Sequence, residues 1–248
     1  MKILRRLSMA GVVSVAMGVA VMGNAPAARA ANIAGLNPLN LGVFANPGVV
    51  AENPFLDPLF VGTYTVDGAV RTWELDAPYV KSGYTINNLK VTLDSDPQVL
   101  FSFAVTAGNT NTTFTFSSDV VSFGAITNPS ASASAAITLT DNNGDGASLM
   151  GKYAGNTSSY RADTNLGNYA YLVPNLTAGA FSTANGNGSL NTPIAGNVTD
   201  MSTEFKFVVT RLDSASGTSN FTIVPEPASI IGLAAGFVGL LSMRRRSS

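Results

Sequence analysis

The 248-residue sequence has no histidine and no cysteine, and these two absences remove much of enzyme chemistry. Without imidazole there is no Ser-His-Asp triad, no histidine general base and no imidazole metal ligand. Without a thiol there is no cysteine nucleophile, zinc knuckle or disulfide. Charge is sparse as well, at 12% of residues, and tryptophan occurs once, at Trp73. The formal net charge of −1 conceals a division along the chain, with Lys2, Arg5, Arg6 and Arg29 at one end and Arg244, Arg245 and Arg246 at the other. Over the body, residues 31–223, seven basic residues face fourteen acidic ones, a net of −7. A body of that sign repels phosphate backbones, so no nucleic-acid partner is expected.

Each basic end adjoins a long apolar run. Met1-Lys2-Ile3-Leu4-Arg5-Arg6 precedes an apolar stretch over 7–22, followed by Pro26 and the small-residue tripeptide Ala28-Arg29-Ala30. A basic start, an apolar helix and a small-x-small site are the parts of a secretory signal peptide, here residues 1–30, with signal peptidase cutting between Ala30 and Ala31. At the other end Val224-Pro225-Glu226-Pro227-Ala228 precedes a charge-free run, Ser229 to Met243, that meets the three arginines. The two prolines force an extended peptide that presents Glu226 before a helix can begin. Residues 228–243 then predict a single apolar helix of about 24 Å, short of the roughly 30 Å hydrocarbon core unless the arginines snorkel. By the positive-inside rule the arginines stay cytoplasmic and the body lies outside, as an exported chain requires.

This order of Pro-Glu-Pro, apolar helix and arginine cluster over 224–248, paired with a signal peptide, resembles the PEP-CTERM sorting signal of Gram-negative bacteria. The resemblance implies recognition by an exosortase, with cleavage near Pro225 to Pro227. It further implies a transient inner-membrane intermediate, and then a place at the cell surface or in the extracellular matrix, in association with exopolysaccharide.

The intervening chain predicts an all-β fold. Residues 31–59 form an arm broken by Asn-Pro or Asp-Pro steps at 37, 46, 53 and 57, each of which favours extended backbone and opposes helix. Over 60–66 and 69–75, two β-rich runs flank Asp67-Gly68, the signature of a type I′ hairpin. Further strands are expected at 84–93, 98–106, 112–116, 120–127, 133–140, 169–173, 204–212 and 220–224. In 98–106, Val99, Phe101, Phe103 and Val105 alternate with Leu100, Ser102, Ala104 and Thr106, which places the first set on the core face. With no helical period in the body, one domain over 60–223 is expected, an antiparallel β-sandwich or jelly roll. The Asn185-Gly186-Asn187-Gly188-Ser189 segment reads as a loop.

Three chemistries have candidates. Asp141-Asn142-Asn143-Gly144-Asp145-Gly146 matches the first half of a calcium loop, in which Asp141, Asn143 and Asp145 converge and glycine permits the bend. The second half fails, because position 12 is Lys152 and position 9 is Leu149. The loop is therefore either an ordinary Asn/Asp/Gly turn or a calcium site completed by carbonyls or a distant carboxylate such as Asp163. An enzyme would have to use Glu52, Glu74 or Glu204 as carboxylates, and a glycosidase needs two of them within about 5–10 Å. No base or nucleophile motif supports that, and no enzymatic role is expected. A carbohydrate-binding module would use aromatic faces, with Trp73, Tyr79, Tyr84, Tyr153, Tyr160, Tyr169 and Tyr171 as candidates.

Overall fold

The computed structural model describes residues 39–44, 54 and 57–225. The expected leader with Ala28, Ala30 and Ala31 lies outside the described residues, as do Glu52, Glu226, Pro227, Ala228, Arg244, Arg245, Arg246 and the expected helix over 228–243. Sixteen strands and no α-helix occur among the described residues. They are β1 (Leu39–Phe44), β2 (Gly62–Asp67), β3 (Val70–Leu75), β4 (Tyr79–Lys81), β5 (Tyr84–Asp94), β6 (Gln98–Ala107), β7 (Thr112–Ser118) and β8 (Val121–Thr127). The second half contributes β9 (Ser130–Thr140), β10 (Ala147–Gly151), β11 (Ser158–Thr164), β12 (Gly167–Pro174), β13 (Leu176–Ala178), β14 (Thr183–Pro193), β15 (Asn197–Val209) and β16 (Ser214–Val224).

All strand pairings are antiparallel and fall into two sheets. The first runs β14-β9-β16-β6-β5-β3-β2, with β4 on β5. The second runs β1-β7-β15-β10-β13, with β11 and β8 also on β15 and β12 on β11. The thirteen-residue β15 organises this second sheet. Its residues 197–201 pair with β8 and 204–209 with β7, while 201–205 pair with β11 and 207–209 with β10.

The sheets share one apolar core, an arrangement consistent with a β-sandwich. The alternation in β6 holds: Val99, Phe101, Phe103 and Val105 are all buried. Phe101 and Phe103 of the first sheet meet Phe116, Phe205 and Phe207 of the second, with Phe103 ring centroids 5.0, 4.9 and 5.3 Å from those three rings. Aromatic pairs at such separations add attraction beyond the area they bury.

Several local expectations are corrected. The β2–β3 turn is Gly68-Ala69, one residue later than Asp67-Gly68, because Asp67 pairs with Val70. Neither Asp67 nor Ala69 is among the described non-glycine residues with positive φ, whereas Gly68 has φ 58°, which suits a type II′ turn rather than I′. Within the expected arm, residues 39–44 form β1 and pair with β7. Residues 185–189 are not a loop but the middle of β14, in unbroken register with β9. The glycines there sit under neighbouring leucines: a Cβ at Gly186 would lie 2.7 Å from Leu176 Cδ2, and one at Gly188 3.2 Å from Leu172 Cβ. Glycine marks a close approach here rather than a loop.

Candidate functional site

The acidic loop follows β9 and leads into β10. Its backbone turns through positive φ at Gly144 (84°) and Gly146 (90°), the conformation glycine adopts without strain. Asp141, nearly inaccessible at 3% exposure, accepts N–H bonds from Asn143 and Gly144 at Oδ1 and from Phe181 at Oδ2. Asn143 Oδ1 accepts the Asp145 N–H, and its amide donates to the Arg211 carbonyl. Leu149, at position 9 of the calcium pattern, is buried in β10, so the second half of the pattern is strand, not loop.

The carboxylate that joins this loop is Asp213, not Asp163. Asp213 lies between β15 and β16, is fully buried, and accepts the Asn142 N–H and the Thr210 hydroxyl. Asp163 instead sits in β11, ion-paired to Arg161 at 2.7 Å. Carboxylate oxygens of Asp141, Asp145 and Asp213 all lie within 4.8 Å of one another. Two ligands on opposite sides of one calcium ion, each at about 2.4 Å, are about 4.8 Å apart, so the cluster could hold a metal ion. The guanidinium of Arg211, 2.8 Å from Asp145, is the cation it meets. Burial pushes the Asp213 carboxyl above the usual range and the neighbouring Asp141 adds to the effect, against the Thr210 and Asn142 hydrogen bonds. For Asp141 burial again acts upward, but backbone N–H groups from Phe181, Gly144, Asn143 and Gly146 outweigh it and hold the carboxyl below its ordinary value.

A second polar cluster lies on the outer face of the second sheet. The register aligns Tyr171, Arg161, Glu204 and Ser117 across β12, β11, β15 and β7. Glu204 accepts from the Tyr153 hydroxyl and, at 2.5 Å, from Ser117 Oγ, with Arg161 at 3.8 Å. Arg161 lies over the Tyr153 ring at 5.0 Å, and Tyr153 stacks on Tyr171 with ring centroids 6.1 Å apart. Burial, followed by the Glu204 carboxylate, raises the Tyr153 phenol well above its ordinary range. Each charged group is thus engaged by another member of the cluster, which cross-links four strands.

The remaining candidates divide between core and surface. Trp73, Tyr79, Tyr84 and Tyr160 are buried, Phe60 contacting both Trp73 (5.4 Å) and Tyr79 (5.1 Å). Tyr169 stacks on Phe221 at 5.4 Å and donates its hydroxyl to the Ala131 carbonyl. Of the seven aromatic candidates only Tyr171 presents a substantial face, at 45% exposure. Glu74 pairs with Lys90 at 2.8 Å on the first sheet, while Glu204 lies on the second, so the whole core separates the two carboxylates and they do not form a glycosidase pair. Val224 closes β16 and Pro225 follows it. Among the described residues no helix is long and apolar enough to cross a membrane.

No family model and no curated protein matches the chain. Among solved structures it is similar to one titled "Structure of infectious bursal disease virus Gt strain", at 14% identity and TM-score 0.21, covering 91% of this chain and 69% of that one. A likeness at that score establishes neither fold nor function.

Proposed function

We propose that the chain is an exported structural protein of the cell surface or extracellular matrix, of the β-sandwich or jelly-roll class. In this reading signal peptidase removes residues 1–30, an exosortase acts at Pro225-Glu226-Pro227, and the body associates with exopolysaccharide. The observation that supports sorting is the position of β16. This strand lies between β9 and β6 in the first sheet and ends at Val224. A cut within 225–227 therefore leaves every described strand whole and keeps Phe221 and Ile223 in the core, whereas a cut a few residues earlier would remove core side chains. A stiff Pro-Glu-Pro peptide directly after a central strand suits an enzyme that must detach a handle without disturbing the fold.

Mass spectrometry of both termini of the protein recovered from its native host tests the proposal. The expected mature form starts at Ala31 and lacks residues 228–248. Exported material that retains peptides spanning Val224 to Arg246 refutes it.

A second reading, calcium binding at the Asp141 loop, is favoured by the convergence of Asp141, Asp145 and Asp213. Three carboxylates facing one guanidinium leave an excess of negative charge in a partly buried site, and a divalent cation would relieve it. The ion would then fasten the turn after β9 to the β15–β16 connection.

A further inference from the structure

The outer face of the first sheet carries a groove of about 710 Å³. It crosses five adjacent strands, β14, β9, β16, β6 and β5, a width of about 19 Å at the usual interstrand spacing. The register aligns Asn187, Ala136, Thr218, Ser102 and Lys90 in one row across its floor. Beside that row the groove is lined by Ser134, Asn220 and Leu100.

The chemistry of this floor is narrow. Backbone N–H and C=O groups of the five strands bond in the plane of the sheet, so only side chains address a ligand. Those side chains are mostly hydroxyls and amides, which both donate and accept. The single cation, Lys90, is already paired with Glu74 at 2.8 Å, so a polyanion meets little counter-charge. An apolar ligand would cover hydroxyls without replacing their bonds to water. A peptide pairs through its backbone with a free strand edge, whereas the groove offers a face. What complements the floor is a neutral chain whose surface alternates hydroxyls with C–H patches, the latter set against Ala136 and the 37% exposed Leu100.

We infer that this groove binds a neutral polysaccharide laid across the strands of the first sheet. The inference rests on the proposed function for the presence of polysaccharide where the protein resides, and it identifies the binding face as the one opposite Tyr171 and Glu204.

The test is affinity electrophoresis of the full-length protein in mild detergent, through native gels containing dextran, hydroxyethylcellulose or, as the anionic comparison, polygalacturonate. Retardation by at least one neutral glucan and not by polygalacturonate is expected. Ser134→Ala with Thr218→Val removes two exposed hydroxyls while preserving shape, and should weaken retention about tenfold. Val66→Ala, on the exposed β2–β3 hairpin, should leave it unchanged. Undiminished retention of the double variant overturns the inference, as does stronger retention by polygalacturonate, loss of retention in Tyr171→Ala instead, or displacement by an unstructured Gly/Ser-rich peptide. A protein correctly cut at both termini that no neutral glucan retains would overturn the groove and leave the sorting proposal standing.

Discussion

Replacing Gly217 by alanine should destabilise the fold through one specific collision. Gly217 lies in the middle of β16, directly opposite Phe103 of β6. A Cβ there would sit 2.6 Å from Phe103 Cζ, 2.7 Å from Cε1 and 2.9 Å from the Ala136 carbonyl oxygen. Ordinary contact needs about 3.5–4.0 Å, so the ring or the strand must yield by about 1 Å. Neither is free to do so: Phe103 is 3% exposed and fenced by Phe116, Phe205 and Phe207, and the Ala136 carbonyl belongs to the ladder. Overpacking costs about 1–3 kcal/mol, of which the lower chain entropy of alanine returns about 0.5–1 kcal/mol. A net loss centred on about 1 kcal/mol lowers Tm by about 2–4 °C in a domain of this size. Gly124→Ala is the matched control, since Gly124 is exposed and a Cβ there meets nothing within 4 Å. It should be neutral or stabilising by up to about 1 kcal/mol. Thermal and urea unfolding of both variants, with Phe103→Leu added to Gly217→Ala, completes the measurement. The leucine should cost less in the Gly217→Ala background than in the native chain, the coupling expected of residues in contact. If Gly217→Ala melts no lower than Gly124→Ala, the ring of Phe103 does not lie over Gly217 and the packing described for the core is wrong.

Other expectations are more local. Calcium at a hundredfold excess over its Kd should stabilise the protein by about 2.7 kcal/mol, raising Tm by about 5–11 °C; the rise should vanish in Asp145→Ala and in Asp213→Asn, and an unchanged Tm in the native protein would dismiss the ion site. Asp57 is held at about 2 by hydrogen bonds from Lys81, the Leu59 N–H and Tyr79. A depressed folded-state value contributes stability above the unfolded carboxylate range, and that contribution fades as pH falls through the folded value of about 2. Asp57→Asn should therefore flatten the stability profile between about pH 4 and 2, and an unaltered acid profile would contradict the Asp57–Lys81–Tyr79 linkage. Glu204→Gln removes the carboxylate that Tyr153 and Ser117 bond and should cost about 1 kcal/mol in urea unfolding; an unchanged unfolding midpoint would show that this cluster does not brace the second sheet.

How much of this could be read in advance follows from the range of each interaction. Alternation in β6 survived because a strand's own pleat sorts its residues onto two faces, and in β6 one of those faces, Val99, Phe101, Phe103 and Val105, is wholly apolar. The β2–β3 hairpin was legible for the same local reason, yet its turn moved by one residue, since cross-strand register belongs to the pair and not to either run. β14 was hidden by composition. Its glycines serve the approach of Leu172 and Leu176, side chains about ten positions or more away, and no short window around Asn187 contains that reason. β9 was only partly visible because its inward positions include the small residues Ala131, Ala133 and Ala135, which carry a weak apolar signal.

The site divides along the same line. From residues alone came the acidic loop, the failure of its second half at Leu149 and Lys152, the exclusion of histidine and thiol chemistry, and the apolar ends with their flanking charges. These depend on residue type and on spacing within a few turns of chain. Only the tertiary structure decided that Asp213 rather than Asp163 meets Asp141, that Tyr171 is the exposed ring among seven, that Glu74 and Glu204 lie on different sheets, and that five strands from separate parts of the chain line one hydroxyl-rich groove. Each of those is a contact between segments tens of residues apart, set by which sheet a strand joins and in which register, and strand partnership is selected by the packed core as a whole.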